Sequence, residues 1–358
     1  MKDGRIFEGY NFAANTPATG EIVFNTGMVG YPESLTDPSY AGQILTLTYP
    51  LIGNYGVPSN ETDEMGIPRH FESERIQITA LVTADLSERY SHNDAVKSLS
   101  EWLAEHNIPG MTGVDTRALT KHIRSHGTMP CKIIPEGFNP NNSDFTDPNE
   151  TDLVKGVTRK EPAVYGHGDI RIVAVDCGIK NNIIREFVRR NVKLTVVPAD
   201  YDFSTLEYDG LFLSNGPGDP KGAGKVINNT AKALQDDRPI FGICLGAQVL
   251  AIAAGAVTYK LKYGHRAQNQ PCTEVDSNRC YITSQNHGFA IDAETLPDGW
   301  HEWFVNANDG TCEGIRHESK PFTAVQFHPE ASCGPVDTEF LFDRFLEEIR
   351  VRAGRCVS

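Results

Sequence analysis

The chain has 358 residues, of which 39% are hydrophobic, and its formal net charge is −14 at pH 7. This length exceeds what one hydrophobic core usually holds, so we expect two domains. The negative charge and the absence of a basic stripe argue against nucleic acid or an anionic membrane as a partner. No run of 18 apolar residues and no targeting peptide occurs in the sequence. We therefore expect a cytoplasmic protein without a membrane span.

The eight cysteines are dispersed along the chain. They form no Cys-x-x-Cys pair and no Cys/His spacing of the kind that binds zinc. The sequence therefore predicts neither a disulfide framework nor a bound metal, and it favours a reducing compartment.

Residues 1–134 are predicted to form an N-terminal mixed β/α domain. Apolar β patterns occur at 5–12, 21–26, 43–48 and 76–82, and two amphipathic helices are predicted at 95–106 and 116–126. This domain carries no catalytic motif. A linker is predicted at 135–168, because Pro, Asn, Asp, Gly and Ser replace the apolar periodicity there.

The second predicted domain, 169–358, alternates apolar β runs with helical stretches. The β runs lie at 170–175, 194–198, 210–214 and 239–243, and helices are predicted at 182–190 and 223–235. This order indicates an α/β fold with an open, mainly parallel sheet and helices on both faces. Sites in such sheets lie at the carboxyl ends of the strands.

The strand at 239–243 runs into a Gly-x-Cys-x-Gly pattern made by Gly242, Cys244 and Gly246. Small residues on both sides suit a nucleophile elbow, a sharp turn from strand to helix. The helix that starts at Leu245 offers backbone N–H groups and a positive dipole end, which favour thiolate over thiol. A lone cysteine is more often a buried apolar residue. The flanking glycines favour a nucleophile instead.

A nucleophilic thiol needs a base and a group that orients the base. Residues 322–330 are predicted to form a strand that ends in His328, Pro329 and Glu330. Residues i and i+2 of a strand point to the same side, so Glu330 can hold the imidazole of His328. Taken alone, this spacing is common on solvated strands. Together with Cys244 it predicts a Cys-His-Glu triad.

These motifs resemble those of the class I (triad) glutamine amidotransferases. Two further segments match in order: a strand leading into the Gly-Pro-Gly loop of Gly216 and Gly218, and the segment 284–289, which is similar to the family's substrate-holding loop. Each segment alone fits an ordinary turn. The glycines of the first loop let backbone amides approach a ligand, as an oxyanion hole requires.

The N-terminal domain extends this resemblance over nearly the whole chain. Blocks at 20–27, 30–33, 35–40, 49–54 and 113–117 resemble the small subunit of glutamine-dependent carbamoyl phosphate synthetase. Short segments at 63–66, 286–289 and 306–310 are most similar to the eukaryotic pyrimidine-pathway type, in which this unit is often fused to the synthetase. The arginine pathway remains an alternative.

The resemblance implies hydrolysis of L-glutamine through a γ-glutamyl thioester. Cys244 attacks the side-chain amide, His328 protonates the departing ammonia, and Glu330 stabilises the imidazolium. Backbone N–H groups of Leu245 and of the 216–218 loop hold the oxyanion. The family correspondence gives as substrate contacts Ser39, Gly216, Gly218, Leu245, Gln248, Asn286, Gly288 and Phe289.

The resemblance also implies a partner that uses the ammonia. The sequence has no Gly-x-x-x-x-Gly-Lys-Ser/Thr loop and no acidic metal cluster, so no cofactor is expected on this chain. ATP and magnesium are expected on a carbamoyl phosphate synthetase large subunit or on fused synthetase domains. A missing first strand and the linker-like segment 350–358 favour a fragment of a fused polypeptide.

Two alanines depart from the pattern of most relatives. Ala247 stands where many have His, and Ala267 stands where Gly is usual, so that Ala267 strains a turn if its φ is positive. Both changes are expected to reduce turnover. Three alternatives stay open: a non-catalytic regulatory or docking subunit, the glutaminase of another synthase, and an unrelated α/β cysteine hydrolase. The intact Cys244 favours use of glutamine.

Overall fold

The structure, a computed structural model, describes residues 1–354 and divides into two compact units, Met1–Thr151 and Asp152–Ser358. The predicted linker is divided between the units. Its first half folds back on the first unit, where Thr146 shares a hydroxyl hydrogen bond of 2.9 Å with Thr19 and Lys132 Nζ lies 4.3 Å from the centre of the Phe145 ring. Of the predicted terminal linker, 350–352 is helical, and 355–358 lies outside the described residues.

The first unit contains three helices and ten strands within its described residues. The helices are α1 Tyr31–Thr36, α2 Leu99–Glu105 and α3 Thr116–His126. The strands are β1 Tyr10–Asn11, β2 Ala18–Asn25, β3 Gln43–Leu47, β4 Leu51–Ile52, β5 Val57–Pro58, β6 Ala80–Val82, β7 Asp85–Leu86, β8 Ala95–Lys97, β9 Gly110–Thr112 and β10 Met129–Ile133.

Six of these strands form one mixed sheet in the order β1-β9-β6-β3-β2-β10. The four central strands are parallel, and β1 and β10 close the edges in antiparallel register. Apolar side chains of β2, β3, β6 and α2 form the core, in which the Trp102 ring stacks on Phe71 at 5.3 Å. The mixed β/α character of this region is therefore confirmed.

One predicted helix of this unit begins later than expected. Residues 95–97 pair as β8 with β5, and α2 starts only at Leu99. Ser98 ends the strand and caps the helix: its hydroxyl accepts from Glu101 N, and Glu101 Oε2 accepts from Ser98 N. Such a capping box fixes a helix start more firmly than apolar periodicity does. The second predicted helix coincides with α3.

The second unit contains five helices and ten strands within its described residues. The helices are α4 Val154–Val157, α5 Asn181–Val188, α6 Gly224–Ala233, α7 Leu245–Ala254 and α8 Phe340–Arg352. The strands are β11 Ala163–Tyr165, β12 Ile170–Asp176, β13 Val192–Pro198, β14 Gly210–Leu213, β15 Ile240–Ile243, β16 Val257–Glu274, β17 Cys280–Asp292, β18 Trp300–Asn306, β19 Cys312–His317 and β20 Phe322–Val325.

All ten strands join in one sheet of the order β11-β13-β12-β14-β15-β20-β19-β17-β16-β18. The five strands from β13 to β20 are parallel, which confirms the predicted α/β fold. The sheet as a whole is mixed rather than mainly parallel, because β16 to β19 extend it in antiparallel register. These strands were not predicted because polar residues interrupt the apolar pattern by which strands are recognised in the sequence.

The parallel strands and the helices between them enclose the core of the second unit. Residues such as Val175, Leu213, Leu250 and Phe322 are almost fully buried there. The carboxyl ends of β12, β14, β15 and β20 meet at one edge of the sheet.

Among residues 1–354, no helix combines the length and apolar composition needed to cross a bilayer.

Candidate active site

Cys244 occupies the sharp turn between β15 and α7. Its backbone has φ 54° and ψ −107°, a conformation that non-glycine residues rarely adopt. Its N–H donates to Val325 O at 2.9 Å, and its carbonyl accepts from Ala247 N at 3.0 Å. These bonds hold the strained residue between the neighbouring strand and the first turn of the helix. The predicted elbow is therefore present in the fold.

The glycines beside Cys244 are required by close packing. A Cβ on Gly246 would lie 2.1 Å from Leu213 O, and one on Gly242 would lie 2.7 Å from the carbonyl carbon of Gly246. Leu213 O belongs to the central strand β14, and the Gly246 carbonyl belongs to the first turn of α7, so neither can move without displacing a packed element. The sequence pattern thus reflects the space available at the turn, as expected for an elbow.

His328 and Glu330 lie beyond the strand that was predicted to contain them. The strand β20 ends at Val325, and His328 N donates instead to Ser284 O at 2.9 Å, which forms an isolated bridge to β17. The two side chains nevertheless meet, with His328 Nδ1 2.7 Å from Glu330 Oε1. The two side chains therefore meet because a loop that bonds to β17 carries them, and not because they alternate along a strand as predicted.

The two groups favour each other's charged form. Burial opposes a charge on His328, but the neighbouring Glu330 carboxylate outweighs it and raises the pKa of His328 to about 10. Burial also opposes a charge on Glu330. The ammonium group of Lys180 and the imidazole of His328 outweigh burial there, and they lower the pKa of Glu330 to about 2. The pair is therefore an imidazolium and a carboxylate.

Lys180 is a member of this site that sequence reasoning missed. Its Nζ lies 3.1 Å from Glu330 Oε1 and donates to Ala331 O at 2.7 Å, and the residue is only 5% exposed. Asn182 Nδ2 also donates to Glu330 O at 2.5 Å. Both residues lie near the start of α5, after the carboxyl end of β12. A lysine just beyond a buried parallel strand was the available signal, since that edge carries the site.

The thiol and the imidazole are brought to the same buried place. Cys244 is 2% exposed and His328 is 2% exposed, and the Cys244 thiol contributes to the raised pKa of His328. Cys244 Sγ donates to Asn286 O at 3.7 Å. His328 Nε2 is buried and makes no hydrogen bond of regular geometry with a described residue, and the Cys244 thiol is the group that interacts with it. The ring nitrogen that does not bind Glu330 is thus available for proton transfer.

The glycine loop after β14 packs against the start of α7. A Cβ on Gly216 would lie 2.1 Å from Cys177 O and 2.7 Å from Leu245 Cδ2, and Gly218 has φ +85°. Leu245 is the first residue of α7, so its N–H has no partner within the helix. The fold therefore brings Gly216, Leu245 and Cys244 close together, and their role as an oxyanion hole stays a prediction.

The predicted substrate loop forms part of β17. Asn286 pairs with Arg266 of β16, and a Cβ on Gly288 would lie 3.2 Å from Arg266 Nη2. Phe289 O accepts from Gln248 Nε2 at 2.8 Å, and the same nitrogen donates to Gln326 Oε1 at 2.9 Å. Gln248 thus ties the elbow helix to β17. Its predicted contact with glutamine stays a prediction.

The remaining predicted residues have the following places. Ser39 belongs to the first unit, where it is buried in a 3₁₀ turn and its N–H bonds to Asp37 Oδ1 at 2.9 Å. Its predicted contact with glutamine stays a prediction. Ala247 is fully buried in α7. Ala267 pairs with Gln285 in the sheet and is absent from the positive-φ residues of the described chain. The expected strain at Ala267 therefore does not arise, because extended backbone suits alanine.

The structure also assembles a cluster of ionisable residues that was not predicted from the sequence. His265 of β16, His287 of β17 and Glu313 of β19 are buried together, and their potential ligand atoms lie within 4.8 Å of one another. The sequence prediction of no metal rested on local Cys/His spacing. These three residues are far apart in the sequence and meet only through antiparallel pairing, so local spacing could not reveal them.

Two family models match the chain. "Glutamine amidotransferase class-I" matches residues 173–348, and "Carbamoyl-phosphate synthase small chain, CPSase domain" matches residues 1–133. A glutamine amidotransferase of solved structure from Thermotoga maritima is 20% identical, with a TM-score of 0.39, over 52% of this chain and 86% of its own.

Two curated relatives match nearly the whole chain. The multifunctional protein CAD of Squalus acanthias is 53% identical over 97% of this chain, which corresponds to 16% of that relative. The carbamoyl phosphate synthase arginine-specific small chain of Chaetomium globosum is 48% identical over 98% of this chain and 78% of the relative. The chain thus spans a small part of the first relative and most of the second.

Proposed function

The chain belongs to the carbamoyl phosphate synthase small-chain family, and from that premise we propose that it hydrolyses L-glutamine to glutamate and ammonia. The observation that carries the proposal is the buried pair of His328 and Glu330, bonded through Nδ1, beside the strained Cys244. This arrangement supplies a nucleophile, a proton carrier and an orienting carboxylate.

In the first step, the Cys244 thiolate attacks the side-chain amide carbon of glutamine. The carbon–nitrogen bond then breaks, and the proton on His328 Nε2 passes to the nitrogen, which leaves as ammonia. The raised pKa of His328 supports its role as proton donor, because it keeps the ring protonated before transfer. The product of this step is a γ-glutamyl thioester on Cys244.

In the second step, water attacks the thioester. Neutral His328 accepts a proton from the water, the carbon–sulfur bond breaks, and glutamate leaves with the thiolate restored. We assign the oxyanion in both steps to the N–H of Leu245 and to the loop that contains Gly216 and Gly218. Each such donor is worth on the order of 3 kcal/mol in related sites.

We assign the glutamine-binding residues by correspondence with the family. The set is Ser39, Gln248, Asn286, Gly288 and Phe289. The buried position of Asn286 and its contact with the thiol support its inclusion. For Gln248, the bond of its amide nitrogen to Phe289 O supports an indirect contribution, since it fixes the loop that carries Asn286.

The ammonia is proposed to pass to an ATP-dependent synthetase, which forms carbamoyl phosphate. ATP and magnesium belong to that partner, either a separate large subunit or synthetase domains of the same polypeptide. The chain spans 16% of a multifunctional relative and 78% of an arginine-specific small chain, so both arrangements stay open, with pyrimidine or arginine synthesis as the proposed use. A cytoplasmic place is proposed because the seven described cysteines are all free.

The test is glutamate release from L-glutamine, measured for the chain alone and with a synthetase partner. We expect Cys244→Ser to lower the rate by at least about 10³-fold, as loss of a nucleophile does in related triads. Cys280→Ser is the matched control, because Cys280 is exposed and should leave the rate unchanged. Equal losses in both variants, or persistent activity in Cys244→Ser, would contradict the proposal.

A further inference from the structure

Three strands of the antiparallel part of the sheet bring His265, His287 and Glu313 together inside the second unit. His265 Nδ1 lies 3.2 Å from Glu313 Oε1, and His287 Nε2 lies 3.6 Å from the same oxygen. All three residues are buried. We propose that this cluster is a binding site for a divalent transition-metal ion, with Zn²⁺ as the ion that it suits best.

The separations fit a single ion. Zn²⁺ binds histidine nitrogen and carboxylate oxygen at about 2.0–2.2 Å, usually in tetrahedral geometry, so two ligand atoms of one ion are about 3.4 Å apart. The two distances to Glu313 Oε1, 3.2 and 3.6 Å, lie on either side of that value. All the potential ligand atoms lie within 4.8 Å of one another, so binding an ion draws the side chains together by at most about 1.4 Å. The nitrogen and oxygen ligands suit Zn²⁺, whereas Ca²⁺ and Mg²⁺ prefer oxygen alone.

Both histidines carry the outer contact that metal-binding histidines normally make. His265 Nε2 lies 2.9 Å from Asp309 Oδ2, and His287 Nδ1 lies 2.9 Å from Phe289 O. A histidine that binds a metal through one nitrogen almost always donates the other N–H to a carboxylate or a carbonyl. In the neutral tautomers that carry their proton at those outer positions, which are the forms that bind a metal, the inner nitrogens of both rings present lone pairs toward Glu313.

A further acceptor faces the same point. Gln285 Oε1 lies 3.3 Å from His287 Nε2. The orientation of this amide follows from its other contacts, because Gln285 Nε2 lies 3.2 Å from Thr283 Oγ1, and that hydroxyl donates its proton to Gln270 O at 2.9 Å. Gln285 Oε1 is therefore placed to be the fourth ligand, and the second oxygen ligand, of a tetrahedral site.

Without a metal ion, one oxygen of the cluster has no partner among the described residues. Asn306 Nδ2 donates to Glu313 Oε1 at 3.4 Å, but Glu313 Oε2 is buried and has no partner among the described residues. A buried carboxylate oxygen without a partner is costly, and it usually marks a missing ion or proton. A bound divalent cation satisfies this oxygen and the two histidine lone pairs together.

An ion here would join β16, β17 and β19 beneath the proposed glutamine loop. His287 holds Phe289 O, to which Gln248 of the elbow helix also donates. The metal would thus act as a positioning element and would not contact the reacting atoms. We expect its removal to raise KM for glutamine more than it lowers kcat.

The first experiment needs no assumption about catalysis. The full chain, purified without chelator, is analysed for metal content, then stripped by a chelator and titrated with Zn²⁺. We expect one Zn²⁺ per chain and a lower Tm after stripping that Zn²⁺ restores. A stripped chain that takes up no Zn²⁺ and keeps its Tm would overturn the proposal and leave a second proton on His287 as the occupant.

Replacement by Co²⁺ distinguishes this site from the cysteines. A tetrahedral site of nitrogen and oxygen ligands should give visible d–d bands without a thiolate charge-transfer band. Cys244→Ser should bind the ion as the unaltered chain does. A thiolate band, or loss of the ion in Cys244→Ser, would assign the ion to cysteine and overturn the proposal. Either result would leave the glutamine-hydrolysis proposal intact.

Variants locate the ion within the cluster. Glu313→Gln and His265→Gln keep similar volume and should each weaken Zn²⁺ binding by more than the roughly 10- to 100-fold lost with outer contacts. His167→Gln is the matched control, since His167 lies in the same unit outside the cluster. Unchanged affinity in a folded ligand variant would overturn the assignment. If both variants fail to fold, the metal content of the unaltered chain still decides.

Discussion

Replacing Lys180 with methionine should destabilise the second unit, because the buried Glu330 carboxylate then loses one of its two charged partners. Lys180 Nζ lies 3.1 Å from Glu330 Oε1, and the side chains are 6% and 0% exposed. At this distance and an effective dielectric constant of about 20, the attraction is about 5 kcal/mol before the cost of burying both charges. Methionine has a similar length but offers no donor.

The expected loss is smaller than this attraction, because His328 remains beside the carboxylate. The pKa of Glu330 falls from 4.5 to about 2 in the folded chain, which corresponds to about 3 kcal/mol of stability at neutral pH. Lys180 is the largest favourable cause of that shift. We therefore expect Lys180→Met to lower the free energy of unfolding by about 3 kcal/mol, within the range for breaking a buried ion pair.

The assay must report on the second unit alone, because two units need not unfold together. Trp102 lies in the first unit, whereas Trp300 and Trp303 lie in β18 of the second. In a Trp102→Phe background, tryptophan fluorescence during urea unfolding therefore follows only the second unit. Lys225→Met is the matched control: this exposed lysine pairs with Asp200 at 3.4 Å, and such pairs contribute about 0–1 kcal/mol.

A double variant tests the cause of the loss. Lys180→Met combined with Glu330→Gln removes the stranded charge, so it should be less destabilised than the sum of the two single variants. Additive losses, or a Lys180→Met loss no greater than that of Lys225→Met, would refute the reasoning. Glutamine hydrolysis should fall in Lys180→Met as well, since the orienting carboxylate loses a fixed partner.

Three further outcomes are expected. Because the folded-state pKa of Glu330 is lowered, its contribution to stability is present above about pH 4.5 and is lost as the pH falls toward 2. Urea unfolding across this pH range should show the loss of stability, and a Glu330→Gln variant should not show it. Gly246→Ala should unfold at lower urea concentration and lose glutamine hydrolysis, because its Cβ would meet Leu213 O at 2.1 Å. Gly224→Ala is the matched control: Gly224 also lies in the first turn of a helix and has no positive φ, but its Cβ would meet open space. Ala267→Gly should not raise kcat, since Ala267 has no positive φ to relieve, and a several-fold rise in kcat would contradict this.

Local patterns predicted those parts of the fold that local chemistry determines. The helix α3 coincides with its predicted range because apolar residues repeat along one face and Asp115 caps its start, accepting from Ala118 N at 2.8 Å. The elbow was equally readable, since Gly242 and Gly246 are dictated by contacts within a few residues of Cys244 or with the adjacent strand.

Features that depend on contacts between residues far apart in the sequence could not be predicted. The long hairpin of β16 and β17 shifts register between Lys260 and His265 and again between Ala267 and Gln270, which breaks the two-residue alternation that marks a strand. The ion pair of Lys180 and Glu330 joins two loops that meet only because β12 and β20 end at the same edge of the sheet.

The position of β20 in the sheet has a consequence for how the second unit folds during synthesis. This strand lies between β15 and β19, yet it is the last of the ten strands along the chain. Until residues 322–325 leave the ribosome, the sheet lacks an inner strand and both neighbours present unpaired backbone edges. Such edges promote association between chains, and pairing over a long sequence separation is slow. Nascent chains truncated before residue 322 should therefore need chaperone protection.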